Sequence, residues 1–132
     1  MATSPLIKKL QIKPGQRMVI INAPAGYTEQ LDPLPDGVEL AKTPEGDFDF
    51  VQVFATNSEE LKKFIGSAIK AVKHEGLLWI CYPKGSSKVK TDLNRDVLWG
   101  IVDEYGFKGV TLVSIDDVWS AMRFRPADLV GR

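Results

Sequence analysis

A polar connection at residues 82–96, YPKGSSKVKTDLNRD, is the densest group of side chains in this chain that could do chemistry. It follows a very apolar run, GLLWIC, and precedes a helical pattern. Lysine ammonium groups and serine hydroxyls next to a helix N-terminus favour phosphate or carboxylate. The spacing does not match a phosphate-binding P-loop, and Asp92 would compete for the helix amides. The segment is therefore either an anion site or a solvated loop of mixed charge.

Two further groups of charged residues admit a chemical role and a structural one. Asp116 and Asp117 could be a carboxylate pair in which one pKa is raised, or could bind a divalent cation, but such residues more often make a hairpin turn. Asp92, Arg95 and Asp96 could form an acid/base set, although helix capping with a local salt bridge is the favoured interpretation. No His and Cys residues are spaced as zinc ligands, so no metal site is predicted.

The composition bounds the class of protein. Seventeen basic and seventeen acidic residues cancel, so no global field favours nucleic acid or a membrane, and neither is expected as a partner. A lone cysteine, Cys81, indicates a reducing compartment, and no run approaches the ~18 apolar residues of a membrane span. We expect a single cytoplasmic domain over residues 1–132, with a tail from about residue 126.

Hydrophobic periodicity predicts the elements that position the polar side chains. Apolar residues at three- and four-residue steps predict a helix that starts at a Thr56–Glu59 or Asn57–Glu60 capping arrangement and stops at Gly76. Apolar or β-branched runs predict strands at residues 17–22, 38–41, 48–55, 77–82, 109–115 and 118–125.

A second long helix is predicted over residues 93–105, with Asp92 or Thr91 as its cap. Asn94 lies three residues before Val97 and four before Leu98, so the spacing predicts that its amide points inward and needs hydrogen-bond partners. The predicted inward face consists of Val97, Leu98, Ile101, Val102 and Tyr105.

Strands that alternate with helices and end in a hairpin predict a three-layer α/β sandwich. Its sheet is mainly parallel and Rossmann-like, with a C-terminal antiparallel hairpin. Ligands of such sheets bind outside the carboxyl ends of the strands, near the point where the strand order reverses. The residues predicted to bind a ligand at that edge are Asn22, Tyr27, Tyr82, Lys84, Ser86, Ser87, Asn94 and Asp116.

The segment IKPGQRMVIIN resembles the opening of class I S-adenosylmethionine-dependent methyltransferases. The runs DFDFVQVFA and EGLLWICYPKG look like the fourth and fifth strands of that family, and the terminal hairpin matches its antiparallel closing strand. The resemblance implies S-adenosylmethionine as cofactor. The chain departs from the family at NAPAGY, where one glycine, Gly26, stands in place of a Gly-rich turn, and Lys42 rather than a carboxylate follows the second strand.

A second resemblance is to a small bacterial family of unknown function. It rests on NAPAGY, YPK, KTDLNRD and SIDDVWSAMRFR, which occupy residues 22–27, 82–84, 90–96 and 114–125. This resemblance implies the fold and the location of a site, and no activity.

Three hypotheses about function follow. The first is a domain that binds a small anionic molecule or a partner segment at the edge of its sheet, without inferable catalysis. The alternative is a divergent S-adenosylmethionine-dependent enzyme at the same edge. The third is a structural role in a homo-oligomer formed through the terminal hairpin.

Overall fold

The computed structural model describes residues 5–31, 33–85 and 87–130. Three helices cover the sheet: α1 (Pro5–Lys9), α2 (Ser58–Ala71) and α3 (Arg95–Asp103). Short 3-10 turns follow at Thr28–Leu31 and Ala127–Leu129. The strands are β1 (Arg17–Ile21), β2 (Glu39–Ala41), β3 (Phe48–Phe54), β4 (Val72–Pro83), β5 (Phe107–Ser114) and β6 (Trp119–Pro126).

All six strands form one sheet in the order β2-β1-β3-β4-β6-β5. Strands β1 to β4 are parallel, whereas β6 is antiparallel to both of its neighbours. The predicted mainly parallel sheet with a C-terminal antiparallel hairpin is therefore confirmed. We call the side at which β1, β3, β4 and β5 finish the carboxyl edge; Asn22, Ala55, Lys84 and Ile115 are its first residues.

Residues 50–54 of β3 and 77–83 of β4 are buried on both faces, which is why these runs are apolar except for Gln52. One face, with Val51 and Ile80, packs against α2 and α3. The other face, with Phe50 and Trp79, packs against α1 and the turn after β1. The indole Nε1 of Trp79 donates to the carbonyl oxygen of Leu10 at 3.1 Å, so the largest side chain of the core also satisfies its polar atom.

Helix α2 ends five residues before the predicted stop at Gly76. Val72 is extended at φ −77° and ψ 133°, and β4 begins at once by pairing Val72 with Phe48. A buried β-branched residue with a strand partner favours the sheet over another helical turn. Lys73 and His74 consequently lie on a strand, where the His74 Nε2 atom contacts an Asp128 carboxylate oxygen at 3.0 Å.

The start of α2 follows one of the two predicted caps. The Asn57 Oδ1 atom accepts a hydrogen bond from the Glu60 amide at 2.8 Å. The Glu60 carboxylate does not return to Asn57; it accepts from the Thr56 amide and hydroxyl, both at 2.8 Å. The Asn57–Glu60 alternative is confirmed, with the reciprocal bond shifted by one residue.

The prediction for α3 was wrong in its start and its cap, and it was right for Leu98, Ile101 and Val102 of the inward face. Asn94 is the N-cap: its backbone is extended, and its Oδ1 atom accepts from the Val97 amide at 2.9 Å. Its side chain is exposed rather than inward, because the three- and four-residue spacing applies to helical residues and a cap turns toward its own helix amides. Leu98 and Val102 are buried, whereas Val97 and Tyr105 are exposed.

The Asn57 cap yields a stability prediction. Asn57→Ala should lower the free energy of unfolding in urea by about 1 kcal/mol, because an amide at the start of α2 loses its acceptor. Ser67→Ala, at an exposed position of the same helix, is the control and should change it by less than about 0.5 kcal/mol. Equal effects of the two substitutions would contradict the assignment of the cap.

Candidate functional site

The strand ends meet at the carboxyl edge in close register. Ile21 pairs with Val53, Phe54 with Cys81 and Pro83 with Trp119. The Lys84 amide also donates to the Val118 carbonyl at 2.7 Å, which joins the end of β4 to the start of β6. Groups far apart in the sequence are thereby brought to one side of the molecule.

Asn22 lies where the strand order reverses, between β1 and β3. Its φ of 60° is left-handed, a conformation that asparagine tolerates better than most residues. Its Nδ2 atom donates to the Phe54 carbonyl at 2.9 Å and reaches a Glu60 carboxylate oxygen at 3.5 Å. We call the group of Asn22, Thr56 and Glu60, which contact one another beside the ends of β1 and β3, the β1/β3 crevice. It lies at the position where sheets of this kind bind ligands.

Glu60 gives the crevice its charge. Hydrogen bonds from the Thr56 amide and then from the Thr56 hydroxyl lower the pKa of its carboxyl group, with a smaller contribution from Asn22. These donors all contact one carboxylate oxygen, Oε1. Glu60 is therefore ionised at neutral pH and can accept further hydrogen bonds through its other oxygen.

Three of the predicted binding residues shape the turns of the edge. The Lys84 ammonium donates to the Ser114 hydroxyl at 2.6 Å, and the Ser87 hydroxyl donates to the Lys84 carbonyl at 2.8 Å. Asp116 accepts from the Val118 and Trp119 amides at 2.8 and 2.9 Å, which is the turn-making role. Ser86 lies outside the described residues.

The two predicted tyrosines belong to the core rather than to the surface of the edge. Tyr27 is 2% exposed, and its hydroxyl accepts from the Gln52 Nε2 atom at 2.8 Å. The same nitrogen contacts the Cys81 sulfur at 3.2 Å. Burial raises the pKa of both Tyr27 and Cys81, the latter to about 12. Tyr82 is buried on the face that packs against α2 and α3.

Sequence reasoning missed the contributions of Gln52, Glu60 and Asp92. Gln52 is the one polar residue in the run FVQVFA, residues 50–55, and that interruption was the available signal. Glu60 was interpreted only as part of a cap. Asp92 accepts from the Ser58 amide at 2.8 Å and contacts the Ser58 hydroxyl with its second oxygen. The bonds from the Ser58 side chain and then its amide lower the pKa of Asp92, so the polar connection is tied to α2.

A cavity of about 410 Å³ lies at the opposite end of the strands, where β1, β3 and β4 begin. Asp49 lines it, but both of its oxygens are engaged, one by the Arg17 amide and one by the Lys73 ammonium. Across the described ranges, no three His, Cys, Asp or Glu side chains are grouped to hold a metal ion. The helices of those ranges include none that is long and apolar enough to cross a membrane.

Several solved structures share the fold of this chain. DhpI in its complex with SAH has a TM-score of 0.62 at 14% identity, over 93% of this chain and 82% of that one. A methyltransferase from Aquifex aeolicus has a TM-score of 0.62 at 15% identity, over 90% and 86%. A precorrin-6y C5,15-methyltransferase from Geobacter metallireducens GS-15 has 0.58 at 13%, over 91% and 84%.

The fold is methyltransferase-like. A scan against protein-family models finds no match for this sequence, and a search of curated proteins finds none either. The resemblance to a small bacterial family of unknown function therefore stays a prediction.

The charge of Glu60 in the β1/β3 crevice is complementary to one end of S-adenosylmethionine. The molecule carries a sulfonium and an ammonium against one carboxylate, and the Glu60 carboxylate matches that excess positive charge. The nucleoside end of S-adenosylmethionine finds no carboxylate at the end of β2, because that strand finishes at Ala41 and the exposed Lys42 follows. The turn after β1 has one glycine with left-handed backbone, Gly26, with open space around the position of a Cβ atom.

Burial of Cys81 yields a prediction about reactivity. The thiol should react with a maleimide only as the protein unfolds, because it is fully buried and its pKa is raised to about 12. The labelling rate should therefore follow the unfolding transition in urea. A Ser67→Cys variant, exposed on α2, should react at once without urea. Rapid labelling of Cys81 in the native protein would contradict the described core.

Proposed function

We propose that this chain is a methyltransferase-like domain that binds S-adenosylmethionine in the β1/β3 crevice. The observation that carries the proposal is the ionised Glu60 carboxylate at the point where the strand order reverses. The structural neighbours support it, since they include SAM-dependent methyltransferases that span similar lengths. Bound S-adenosylmethionine supplies an activated methyl group, and the residues of this chain hold its charged end.

The division of labour in the crevice follows from charge. Glu60 attracts the positive end of the ligand and accepts hydrogen bonds from its ammonium. Asn22 already uses its amide to join β1 to β3, and its oxygen remains an acceptor at the mouth of the crevice. A hydrogen bond to a charged group is worth about 1.5–3 kcal/mol, so Glu60 should control the affinity.

A second candidate is an anion site without catalysis on the connection after β4. The specific observation in its favour is a group of exposed cations, Lys88 and Lys90, which form no ion pair with any other described residue. Lys84 lies at the base of the same connection. Together these side chains would bind phosphate or a carboxylate as point charges.

Calorimetry with S-adenosylmethionine and S-adenosylhomocysteine tests the first proposal. Glu60→Gln should weaken S-adenosylmethionine binding by about tenfold or more, because the loss of one charged hydrogen bond costs more than about 1.4 kcal/mol. S-adenosylhomocysteine keeps the ammonium that Glu60 is proposed to bind, so its affinity should fall by about the same factor. Glu59→Gln removes a neighbouring, exposed carboxylate and is the matched control.

Two outcomes would overturn the proposal. One is unchanged S-adenosylmethionine affinity in Glu60→Gln. The other is no binding of S-adenosylmethionine at about millimolar concentration, where even a weak site is visible. If inorganic phosphate then raises the melting temperature and a Lys88→Ala/Lys90→Ala variant abolishes that shift, the anion site is the function. The melting temperature of each variant without ligand shows whether it is folded.

A further inference from the structure

An apolar patch lies open to solvent beside the outer strand of the sheet. Its centre is formed by Trp99, Val110 and Leu112, which are 44%, 40% and 49% exposed. These residues line a groove of about 160 Å³ between α3 and β5. The Trp99 indole is fixed across the groove: its Nε1 atom contacts the Met122 sulfur at 2.7 Å, and any side chain at Gly109 would collide with it. Exposed apolar surface held in one place is typical of an interface.

The edge itself is poorly suited to strand addition. β5 is the last strand of the sheet and has no strand on its outer side in the described part of the chain. The pairing register shifts between Gly109 and Thr111, which makes a bulge at Val110. Bulges interrupt the row of backbone hydrogen-bonding groups that a new strand would need. Contact between side-chain surfaces is therefore favoured over continuation of the sheet.

The charges around the patch are arranged symmetrically about Trp99. Arg95, Trp99 and Asp103 recur at steps of four along α3, so they share one side of the helix. Arg95 and Asp103 lie about 6 Å along the axis on either side of Trp99, given the rise per residue of a helix. Arg95 lines the groove, and Asp103 binds the Lys108 ammonium of β5 at 2.5 Å. The apolar centre thus has a cation at one end and, at the other, a carboxylate that holds Lys108 through Oδ1 and can accept a second cation through Oδ2.

We propose that this surface, defined by Arg95, Trp99, Asp103, Val110 and Leu112 and named the dimer patch, is the interface of a homodimer. A two-fold axis next to Trp99 places Arg95 of each copy against Asp103 of the other, where the carboxylate would hold Lys108 through one oxygen and the partner's Arg95 through the second. It also buries the apolar centres together. A two-fold interface must be complementary to itself. The order Arg95, apolar centre, Asp103 meets this requirement, because it reads in reverse on the partner copy. The formal net charge of zero removes any general repulsion between two copies.

Light scattering over a concentration series tests the proposal. The wild-type chain should be dimeric at about 100 μM, a concentration that populates a dimer with a micromolar Kd. Leu112→Lys should raise the dimer Kd by about tenfold or more, because it places an ammonium in the apolar centre of the interface. Leu40→Lys is the matched control, since Leu40 is 37% exposed on β2, the outer strand on the other side of the sheet from β5. A monomeric wild-type chain, or a Leu112→Lys chain that remains dimeric, would overturn the proposal.

A charge exchange tests the two-fold geometry. Arg95→Asp places two carboxylates in contact at each end of the interface, and Asp103→Arg places two cations there. Each variant alone should therefore be monomeric. An equimolar mixture should recover a heterodimer, because both contacts then join opposite charges. Failure of the mixture to dimerise, when each variant keeps its melting temperature, would rule out this arrangement.

Discussion

Burial of β3 and β4 on both faces is the constraint on which the rest of the structure depends. Trp79, Phe50 and Phe54 have no exposed surface, and each such side chain contributes roughly 2–3 kcal/mol when it leaves water. A strand that is apolar on both sides needs cover on both sides. Helices α2 and α3 provide it on one face, and α1 with the turn after β1 provides it on the other. The resulting parallel order brings the strand ends to a single edge.

The polar connection after β4 is largely explained by what it holds together. Asp92 joins it to the first turn of α2, Asn94 begins α3, and Ser87 closes a turn on Lys84. A helix start and a turn need acceptors and hydroxyls as much as an anion site does. We therefore propose a different binding site, the β1/β3 crevice, where Glu60 supplies a negative charge. Lys88 and Lys90 are the basis of the anion-binding alternative.

The sequence predicted those parts of the fold that depend on repeated patterns. The continuous apolar runs predicted β3 and β4, and the alternation of strands and helices predicted a parallel sheet with a closing hairpin. It did not predict single residues whose direction is set by local hydrogen bonds. Asn94 turned outward because it caps α3, Tyr27 turned inward because Gln52 satisfies its hydroxyl, and α2 stopped early because Val72 pairs with Phe48. Such choices depend on partners that are distant in sequence or on backbone geometry.

The most direct test of the account is a titration of the ¹⁵N-labelled protein with S-adenosylmethionine, followed through backbone amide shifts. The ligand should perturb the amides of Asn22, Thr56 and Glu60 first and leave those of Asp49 and Gly76, at the opposite edge, unchanged. Shifts concentrated at the opposite edge, or none at saturating ligand, would contradict a binding site between the carboxyl ends of β1 and β3.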